Sequence, residues 1–295
     1  MLRGLDTIED DMTIPDSEKQ PLLRNFHIHT VTPGWRFTES GPNEKDRQLL
    51  VEYDNVVEEL NLLRAEYGSL RLFPNSSSFG QCSYRTIIIS IARKMATGMA
   101  DYSHKASQAV DNSIYLATIE EYELYCHYVA GLVGEGLSLL FSASGKEAEW
   151  LGTQLELSNS LGLFLQKTNI IRDYREDVEE KRYFWPKEIW AQDRFGFKEM
   201  KDMYDPSPDI RRKATWVQSG MILNAMRHCT DALDYLKSLR NQSVFNFVAI
   251  PQGMAIATLE LCFMNPEMFT RNIKIRKANA AEVRRLSLSL FFDAR

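Results

Sequence analysis

Acidic residues recur with one spacing in two segments that lie far apart in the chain. The six residues that share this spacing are Asp6, Glu9 and Asp10 in the first segment, and Asp173, Glu176 and Asp177 in the second. Residues three and four apart share one face of a helix, so each trio would form an acidic stripe. Two carboxylates about 4 Å apart repel by roughly 4 kcal/mol at an effective dielectric near 20. Each stripe therefore needs water or cations around it.

A single acidic stripe is most simply a solvated helix end, but a matching pair suggests chemistry. Two acidic faces could close on hard cations, which take oxygen ligands. Mg²⁺ keeps several waters and is often completed by the phosphates of a substrate. The repeated spacing therefore predicts metal-assisted handling of a diphosphate.

The second acidic segment ends a stretch with helical periodicity that starts at Leu161. On that helix Gln166, Asn169 and Asp173 fall on the same polar stripe, while apolar residues such as Ile170 occupy the other faces. We expect one continuous helix to carry this stripe as far as Asp177.

Helical periodicity covers most of the remaining chain, which predicts an all-α bundle in one domain. The turn signals and serine run point to a connecting segment at Pro21–Asn43 and a loop at Gly68–Ser83. The predicted helices are Met1–Ile14, which Pro15 would stop, Lys45–Tyr67, Thr86–Asp101, Ile119–Ser142, Asp209–Arg240 and Gln242–Met264.

Three glycines lie inside the predicted helix Ile119–Ser142, where each costs up to about 1 kcal/mol relative to alanine. They are Gly131, Gly134 and Gly136. Either a second helix packed closely against that face or a bulky apolar ligand would explain them.

The composition excludes several classes of protein. The net charge of −5 over 295 residues argues against nucleic-acid binding, which usually needs a basic face. The four cysteines form no CxxC pair, so we expect reduced thiols and not a zinc site. No signal peptide is recognised at Met1. Val244–Met264 is long and apolar, but its polar residues favour a buried helix over a membrane span.

Six motifs in this order resemble those of the squalene synthases, within the squalene/phytoene synthase family of head-to-head isoprenyl synthases. The motifs are Asp6-Thr-Ile-Glu-Asp-Asp-Met-Thr, the run from Tyr125 to Gly134, Gln166-Lys-Thr-Asn-Ile-Ile-Arg-Asp-Tyr, Phe184-Trp-Pro, Asn241-Gln-Ser-Val-Phe-Asn-Phe and Lys274-Ile-Arg-Lys. The resemblance extends from Met1 to about Lys277, apart from Gly68–Ser83. It implies an all-α, isoprenoid-synthase-type helical bundle around a central cavity.

The resemblance also implies an activity and a metal. Two farnesyl diphosphates would be joined head to head into presqualene diphosphate, which would then be ionised, rearranged and reduced by NADPH to squalene. The six acidic residues of the two motifs would hold Mg²⁺ against the diphosphates, with the four aspartates counted as catalytic. The family arginines that would donate to phosphate oxygens match Arg3, Arg172 and Arg182.

Further site residues follow from the same resemblance. Tyr125 would serve the first half-reaction as a base or a π-face, and Gln166 and Asn169 would orient the site. Phe245 and Phe247 would line the pocket of the second step, where a carbocation needs water excluded and a π-cloud nearby.

The cofactor and the location are likewise implied by resemblance. NADPH phosphates would meet Lys274, Arg276, Asn169 and Tyr235, and no Rossmann glycine fingerprint is present, so NADPH would bind on the helical bundle itself. The family implies association with the cytosolic face of the endoplasmic reticulum membrane, whereas this chain alone is predicted to be a soluble monomer.

The chain departs from the family pattern in several places. The family's chains begin before this one and carry a C-terminal membrane anchor, so we expect a domain truncated at both ends. Gly68–Ser83 has no counterpart and is interpreted as a loop insertion or a gene-model artefact. Glu180-Lys181 replaces small residues, and Ala278 replaces a glycine.

Two alternatives to the squalene synthase interpretation stay open. One is a phytoene- or dehydrosqualene-type synthase, which stops without reduction. The segments at Lys274 and Phe245 favour the NADPH-using branch over this alternative. The other is an inactive, truncated protein that binds polyprenyl diphosphate.

Overall fold

The computed structural model describes residues 1–63, 84–109, 113–276, 279–282 and 285, and regular structure there is almost entirely helical. The helices are α1 (Leu2–Asp10), α2 (Asp16–Arg24), α3 (Phe26–His29), α4 (Arg47–Val51), α5 (Tyr53–Leu62), α6 (Tyr84–Ser107), α7 (Ile119–Cys126), α8 (Leu132–Ala143), α9 (Leu155–Arg172), α10 (Tyr174–Glu179), α11 (Lys187–Trp190), α12 (Pro208–Met226), α13 (Cys229–Ser238) and α14 (Gln242–Cys262). The predicted all-α class is confirmed.

Short elements complete the described part of the chain. A π-helical turn, His127–Gly131, joins α7 to α8, and the strands β1 (Ile114–Tyr115) and β2 (Arg182–Tyr183) pair in parallel. Turns of 3₁₀ helix lie at Glu149–Thr153, Met200–Tyr204 and Pro266–Phe269.

One compact unit comprises Met1–Gln108 and Glu135–Gln154. In this unit α1, α2 and α3 pack against α6. Leu5 and Ile8 of α1 are fully buried, as expected for apolar residues three apart on one helical face. The burial of this face fixes α1, and with it the first acidic motif, on the core of the unit.

The second compact unit comprises Ala109–Gly134 and Leu155–Arg295. Its central helix is α9, which packs against α12, α13, α14 and the π-helical turn. Because neighbours surround α9, its buried residues lie on more than one face of the helix. This is the pattern expected for a helix in the middle of a bundle. The prediction that residues 1–295 form one domain stays a prediction, and the predicted loop Gly68–Ser83 lies outside the described residues.

The first predicted helix, Met1–Ile14, is wrong at its C-terminal end. The helix stops four residues earlier, and Asp11 takes an extended backbone with φ −68° and ψ 99°. Its buried carboxylate accepts hydrogen bonds from the backbone and hydroxyl of Thr13 (2.9 and 2.6 Å) and from the Gly41 amide (2.8 Å). These bonds offer the backbone an alternative to another helical turn.

Two other predicted helices are each divided, and the predicted connecting segment is partly helical. Lys45–Tyr67 contains α4 and α5, separated where Glu52 leaves helical geometry. Asp209–Arg240 contains α12 and α13, which separate where His228 turns towards Lys167. Pro21–Asn43 begins inside α2 and includes α3. By contrast, α6 and α14 confirm their predicted helices. Both ends of α14 and the start of α6 lie within two residues of the prediction, while α6 continues six residues beyond the predicted end at Asp101.

The glycines in the predicted helix Ile119–Ser142 allow close packing. A Cβ on Gly134 would lie 2.9 Å from the Ser158 carbonyl carbon and closer still to its oxygen. A Cβ on Gly131 would lie 3.0 Å from a methyl carbon of Leu163 and closer to the Asn159 amide oxygen. All three of these neighbours belong to α9, so close helix packing accounts for both glycines.

Two helical stretches in the described residues are long and apolar enough to cross a membrane by length and composition alone. They are Ile119–Ala143 and Gln242–Cys262. Core helices of soluble proteins pass the same test, and α14 buries one side, including Val248 and Leu259. The prediction that Val244–Met264 is a buried helix and not a membrane span stays a prediction.

Candidate active site

The first acidic motif is built around an arginine. The guanidinium of Arg3 donates to Asp6 Oδ2 (2.7 Å) and to Asp46 Oδ2 (2.5 and 2.7 Å). The hydrogen bonds that Arg3 donates to Asp46, together with the nearby charges of Asp6 and Asp10, raise the pKa of Arg3. Arg3 and Asp6 are both partly exposed, so this cluster of opposite charges can be reached from solvent.

A buried lysine supports the end of the same helix. The ammonium of Lys19 donates to the backbone carbonyl of Glu9 (2.8 Å), and burial lowers the pKa of Lys19. Asp10 is exposed and Glu9 is half-buried. The structure thus leaves the three carboxylates of the first motif within reach of solvent.

The second acidic motif lies at the junction of α9 and α10. Arg172, the last residue of α9, donates two hydrogen bonds to the two oxygens of Asp173 (2.7 and 2.5 Å). This bidentate pair raises the pKa of Arg172. Asp173 interrupts the helix, since its backbone has φ −92° and ψ 12°. The prediction of one continuous helix through this motif is therefore wrong.

The interruption separates Asp177 from the rest of the predicted stripe. Asp177 is 7% exposed and accepts a hydrogen bond from Arg182 (2.9 Å). Burial raises the pKa of Asp177 to about 7; Arg182 opposes this rise, while Asp173 and Glu180 add to it. Asp177 is thus an internal partner of Arg182, unlike the exposed Asp10 that it matches in the sequence.

Tyr125 lies in the second unit near the C-terminal end of α7. Its ring is 5% exposed and stacks on Phe184, with ring centroids 4.8 Å apart and an angle of 19° between the planes. On α9, Gln166 is half-buried and Asn169 is exposed. The structure therefore gives Tyr125 an aromatic neighbour and leaves the Asn169 amide open to a ligand.

The two phenylalanines predicted to line a pocket differ in exposure. Phe245 is half-buried on α14, whereas Phe247 is 59% exposed. Phe247 is therefore not a core residue, and its ring can be reached from solvent.

The basic segment after α14 folds back onto the second acidic motif. Asn272 donates a hydrogen bond to the Glu176 carboxylate, and Arg175 donates to the Phe269 carbonyl (3.3 Å). Lys274 and Arg276 follow on a non-helical stretch and are exposed. Tyr235, predicted beside them, is instead fully buried on α13, so a ligand at the surface does not reach it in this conformation.

The carboxylates of the acidic motifs suit Mg²⁺ that is bound by few protein ligands. Within the described ranges no group of three or more histidine, cysteine, aspartate or glutamate side chains is arranged to hold a metal ion. Mg²⁺ does not need such a cage, because it is commonly bound by one or two carboxylates and completed by water and phosphate. The accessible oxygens of Asp6, Asp173 and Glu176 meet that requirement, and the buried Asp177 meets it least.

Sequence reasoning missed a buried polar cluster in the second unit. The ammonium of Lys167 is fully buried and binds Glu123, Asn224 and His228. A signal was present, because Lys167 lies among apolar residues of α9, where a charge requires a partner. In the first unit Asp46, the partner of Arg3, was likewise not predicted from the sequence.

Comparisons with known proteins agree with the motifs. A sequence model of the family described as squalene/phytoene synthase matches residues 1–279. The chain is 59% identical to the squalene synthase of Ganoderma lucidum over 291 residues, and it is 49% identical to that of Schizosaccharomyces pombe over 284 residues. These alignments cover 96% of this chain but 58% and 56% of the two relatives, so the chain spans little more than half of their length.

Solved structures show the same likeness. A ligand complex of TcSQS has a TM-score of 0.82 and 37% sequence identity, covering 97% of this chain and 75% of that one. A dehydrosqualene synthase, at 16% identity and a TM-score of 0.58, shares the fold. The sequence and structural comparisons together show that the chain belongs to the squalene/phytoene synthase family.

Proposed function

We propose that this protein joins two farnesyl diphosphates head to head into presqualene diphosphate and reduces that product with NADPH to squalene. The observation that carries the proposal is that each acidic motif pairs its first aspartate with an arginine. Arg3 binds Asp6, and Arg172 binds both oxygens of Asp173. The relatives named squalene synthase support the choice of substrate.

Such arginine–aspartate pairs are suited to exchanging partners when a metal diphosphate binds. The carboxylates of Asp6 and Asp173 would turn to the cation, while the guanidinium groups would turn to phosphate oxygens. Arginine suits this exchange, because its planar fork fits carboxylate and phosphate equally well. The local charges remain balanced throughout, so little electrostatic energy is lost in the exchange.

The two acidic motifs would supply the Mg²⁺ ligands in our proposal, with Asp6, Glu9 and Asp10 in one and Asp173 and Glu176 in the other. Mg²⁺ would supply neutralisation of the negative charge that develops on the departing diphosphate. The chain's own arginines would donate hydrogen bonds to the same oxygens. Asp177, matched to a metal ligand by resemblance, would have to break its contact with Arg182 before it could bind Mg²⁺.

The residues of the second unit have distinct roles in the proposal. Tyr125, stacked on Phe184, would act in the first step as a base or as a π-face near the developing cation. Gln166 and Asn169 would orient the substrate. Phe245 and Phe247 would exclude water and stabilise positive charge in the second step.

For NADPH we propose the exposed cations Lys274 and Arg276, assisted by Asn169. NADPH would supply the hydride of the second step. Among the described residues neither Lys274 nor Arg276 is engaged in an ion pair, which leaves both ammonium and guanidinium donors for phosphate groups. We leave Tyr235 out of this set, because it is fully buried.

The setting of the enzyme is also proposed from the family. We place the whole protein at the cytosolic face of the endoplasmic reticulum membrane, as a monomer whose residues 1–295 form one synthase domain. Farnesyl diphosphate is its small-molecule partner, and no nucleic acid takes part.

Product analysis with farnesyl diphosphate, Mg²⁺ and a series of NADPH concentrations tests the proposal. We expect presqualene diphosphate without NADPH and squalene with it. A conjugated triene that forms independently of NADPH would instead indicate a dehydrosqualene- or phytoene-type synthase. Binding of a non-hydrolysable farnesyl diphosphate analogue without any product would indicate a binding protein and reject the proposal.

A further inference from the structure

A fully buried lysine joins three helical elements of the second unit. Lys167 on α9 donates to a Glu123 oxygen on α7, to Asn224 Oδ1 on α12 (2.7 Å) and to His228 Nε2 at the start of α13 (2.9 Å). An ammonium group has three N–H donors and no acceptor. All three donors of Lys167 are therefore used, each on a different residue.

A chain of hydrogen bonds runs from Lys167 through His228 and Ser160 to Asp231. Because His228 accepts at Nε2 from Lys167, its proton is on Nδ1, which lies 3.2 Å from Ser160 Oγ. The Ser160 hydroxyl in turn donates to Asp231 (2.9 Å). His228 Nε2 also lies 3.2 Å from Glu123, and the shared ammonium holds these two acceptors together.

Stability alone is a weak reason for this arrangement. Removing water from an ammonium is costly, and buried ion pairs can often be replaced by apolar side chains of similar volume without loss of stability. What such a group does supply is geometry, because three directed hydrogen bonds allow one rotation and one register of the helices. Unpaired, the same charge would destabilise the folded state strongly.

The helices that Lys167 joins are those that carry the candidate first-step residues. Glu123 is two residues before Tyr125 on α7. Lys167 is itself next to Gln166 and two residues before Asn169 on α9. A change at the lysine would therefore rotate or shift Tyr125 relative to these two amides.

We propose that Lys167 is a positioning residue for the first condensation step, which sets Tyr125 relative to Gln166 and Asn169 through its bond to Glu123. This inference rests on the proposed function. The neighbouring pair of Arg172 and Asp173 is held by its own bidentate contact, so diphosphate binding should depend little on Lys167.

The test compares Lys167→Met with a control that loses a different buried polar contact. Gln218→Met is suitable, because this fully buried amide on α12 donates to the Asn265 carbonyl (3.3 Å) and not to α7 or α9. The charge-free double variant Lys167→Met with Glu123→Gln serves if the single variant does not fold. Four quantities are measured on each: the Tm, the single-turnover rate of presqualene diphosphate formation, the Kd of farnesyl thiodiphosphate, and amide hydrogen exchange.

We expect Lys167→Met and the double variant to lower the single-turnover rate at least about tenfold, with Kd changed by less than about threefold. Amide exchange should rise in α7 and the π-helical turn. Gln218→Met should keep the single-turnover rate within about twofold of the unmodified protein, even if its Tm falls as far as that of Lys167→Met. A rate that follows Tm across all variants, or that recovers in the double variant, would overturn the positioning role.

The two proposals fail in different ways. If the unmodified protein binds the analogue but makes no presqualene diphosphate, the proposed function fails. Hydrogen exchange still decides the inference in that case, because unchanged exchange in α7 of Lys167→Met would show that the lysine does not hold α7 in place.

Discussion

Replacing Gly162 with alanine perturbs the point where α9 crosses the π-helical turn. A Cβ on Gly162 would lie 2.6 Å from the carbonyl carbon of Ala130, closer still to its oxygen, and 2.9 Å from Gly131 Cα. These are backbone atoms, which cannot move aside by changing a rotamer. Ordinary contacts of a Cβ lie at 3.4–4 Å, so the two backbones must separate by about 0.8 Å or more in a close-packed interior.

The size of the effect follows from two opposing contributions. Overpacking of a well-filled interior costs about 1–3 kcal/mol, and a clash with backbone belongs at the upper end or beyond. Alanine is favoured over glycine inside a helix by up to about 1 kcal/mol. We therefore expect Gly162→Ala to lower the free energy of unfolding by about 2 kcal/mol, which corresponds to a fall in Tm of about 3 °C for a chain of 295 residues.

Urea unfolding of Gly162→Ala and of a matched variant, Gly152→Ala, measures this prediction. A Cβ on Gly152 would meet only side-chain atoms of Leu139 and Ser142, at 3.4 Å and beyond, so that variant should remain within about 0.5 kcal/mol of the unmodified protein. If Gly162→Ala were as stable as the unmodified protein, the close crossing of α9 over the turn would be wrong.

Three further outcomes are expected. Lys274→Ala combined with Arg276→Ala should spare the first step and raise the NADPH concentration needed for squalene formation by about two to four decades, since each charge-assisted contact contributes about 1.5–3 kcal/mol. Unchanged squalene output at limiting NADPH would refute the assignment of these two residues to NADPH. Because burial raises the pKa of Asp177 to about 7, the folded state holds the proton more tightly than the unfolded state. The metal-free protein should therefore lose about 3 kcal/mol of stability between pH 5 and pH 8, and Asp177→Asn should remove that slope in EDTA-treated samples. Asp11→Ala should cost about 3 kcal/mol in urea unfolding, because several donors lose a charged acceptor; a loss below about 1 kcal/mol would mean that Asp11 is not holding its loop.

The helical class and the long helices were predictable because their signals are local. The regular apolar spacing in α6 and α14 is sufficient to identify a helix, and both were found within a few residues at most of their ends. The glycines at 131 and 134 also predicted a close approach, although only the structure could show that α9 is the neighbour.

The breaks in the helices were not predictable from local pattern, because they depend on distant partners. Asp11 leaves the helix for donors that include Ser40 and Gly41, some thirty residues further along the chain. The same limit applies to the candidate site. The repeated spacing indicated six equivalent acids, yet the turn at Asp173 makes Asp177 a buried partner of Arg182.

The measurement that tests the central claim most directly is the single-turnover rate of presqualene diphosphate formation at saturating Mg²⁺ in Asp6→Asn and Asp173→Asn. We expect each change to lower this rate at least about a hundredfold, which corresponds to roughly 2.7 kcal/mol of transition-state stabilisation. Binding of a farnesyl diphosphate analogue should weaken less, because the carboxylates matter most as charge develops on the leaving group. The control Asp234→Asn, at an exposed acid paired with Lys237, should retain the rate of the unmodified protein. Near-normal rates in Asp6→Asn or Asp173→Asn would contradict the role of that acidic motif in the reaction.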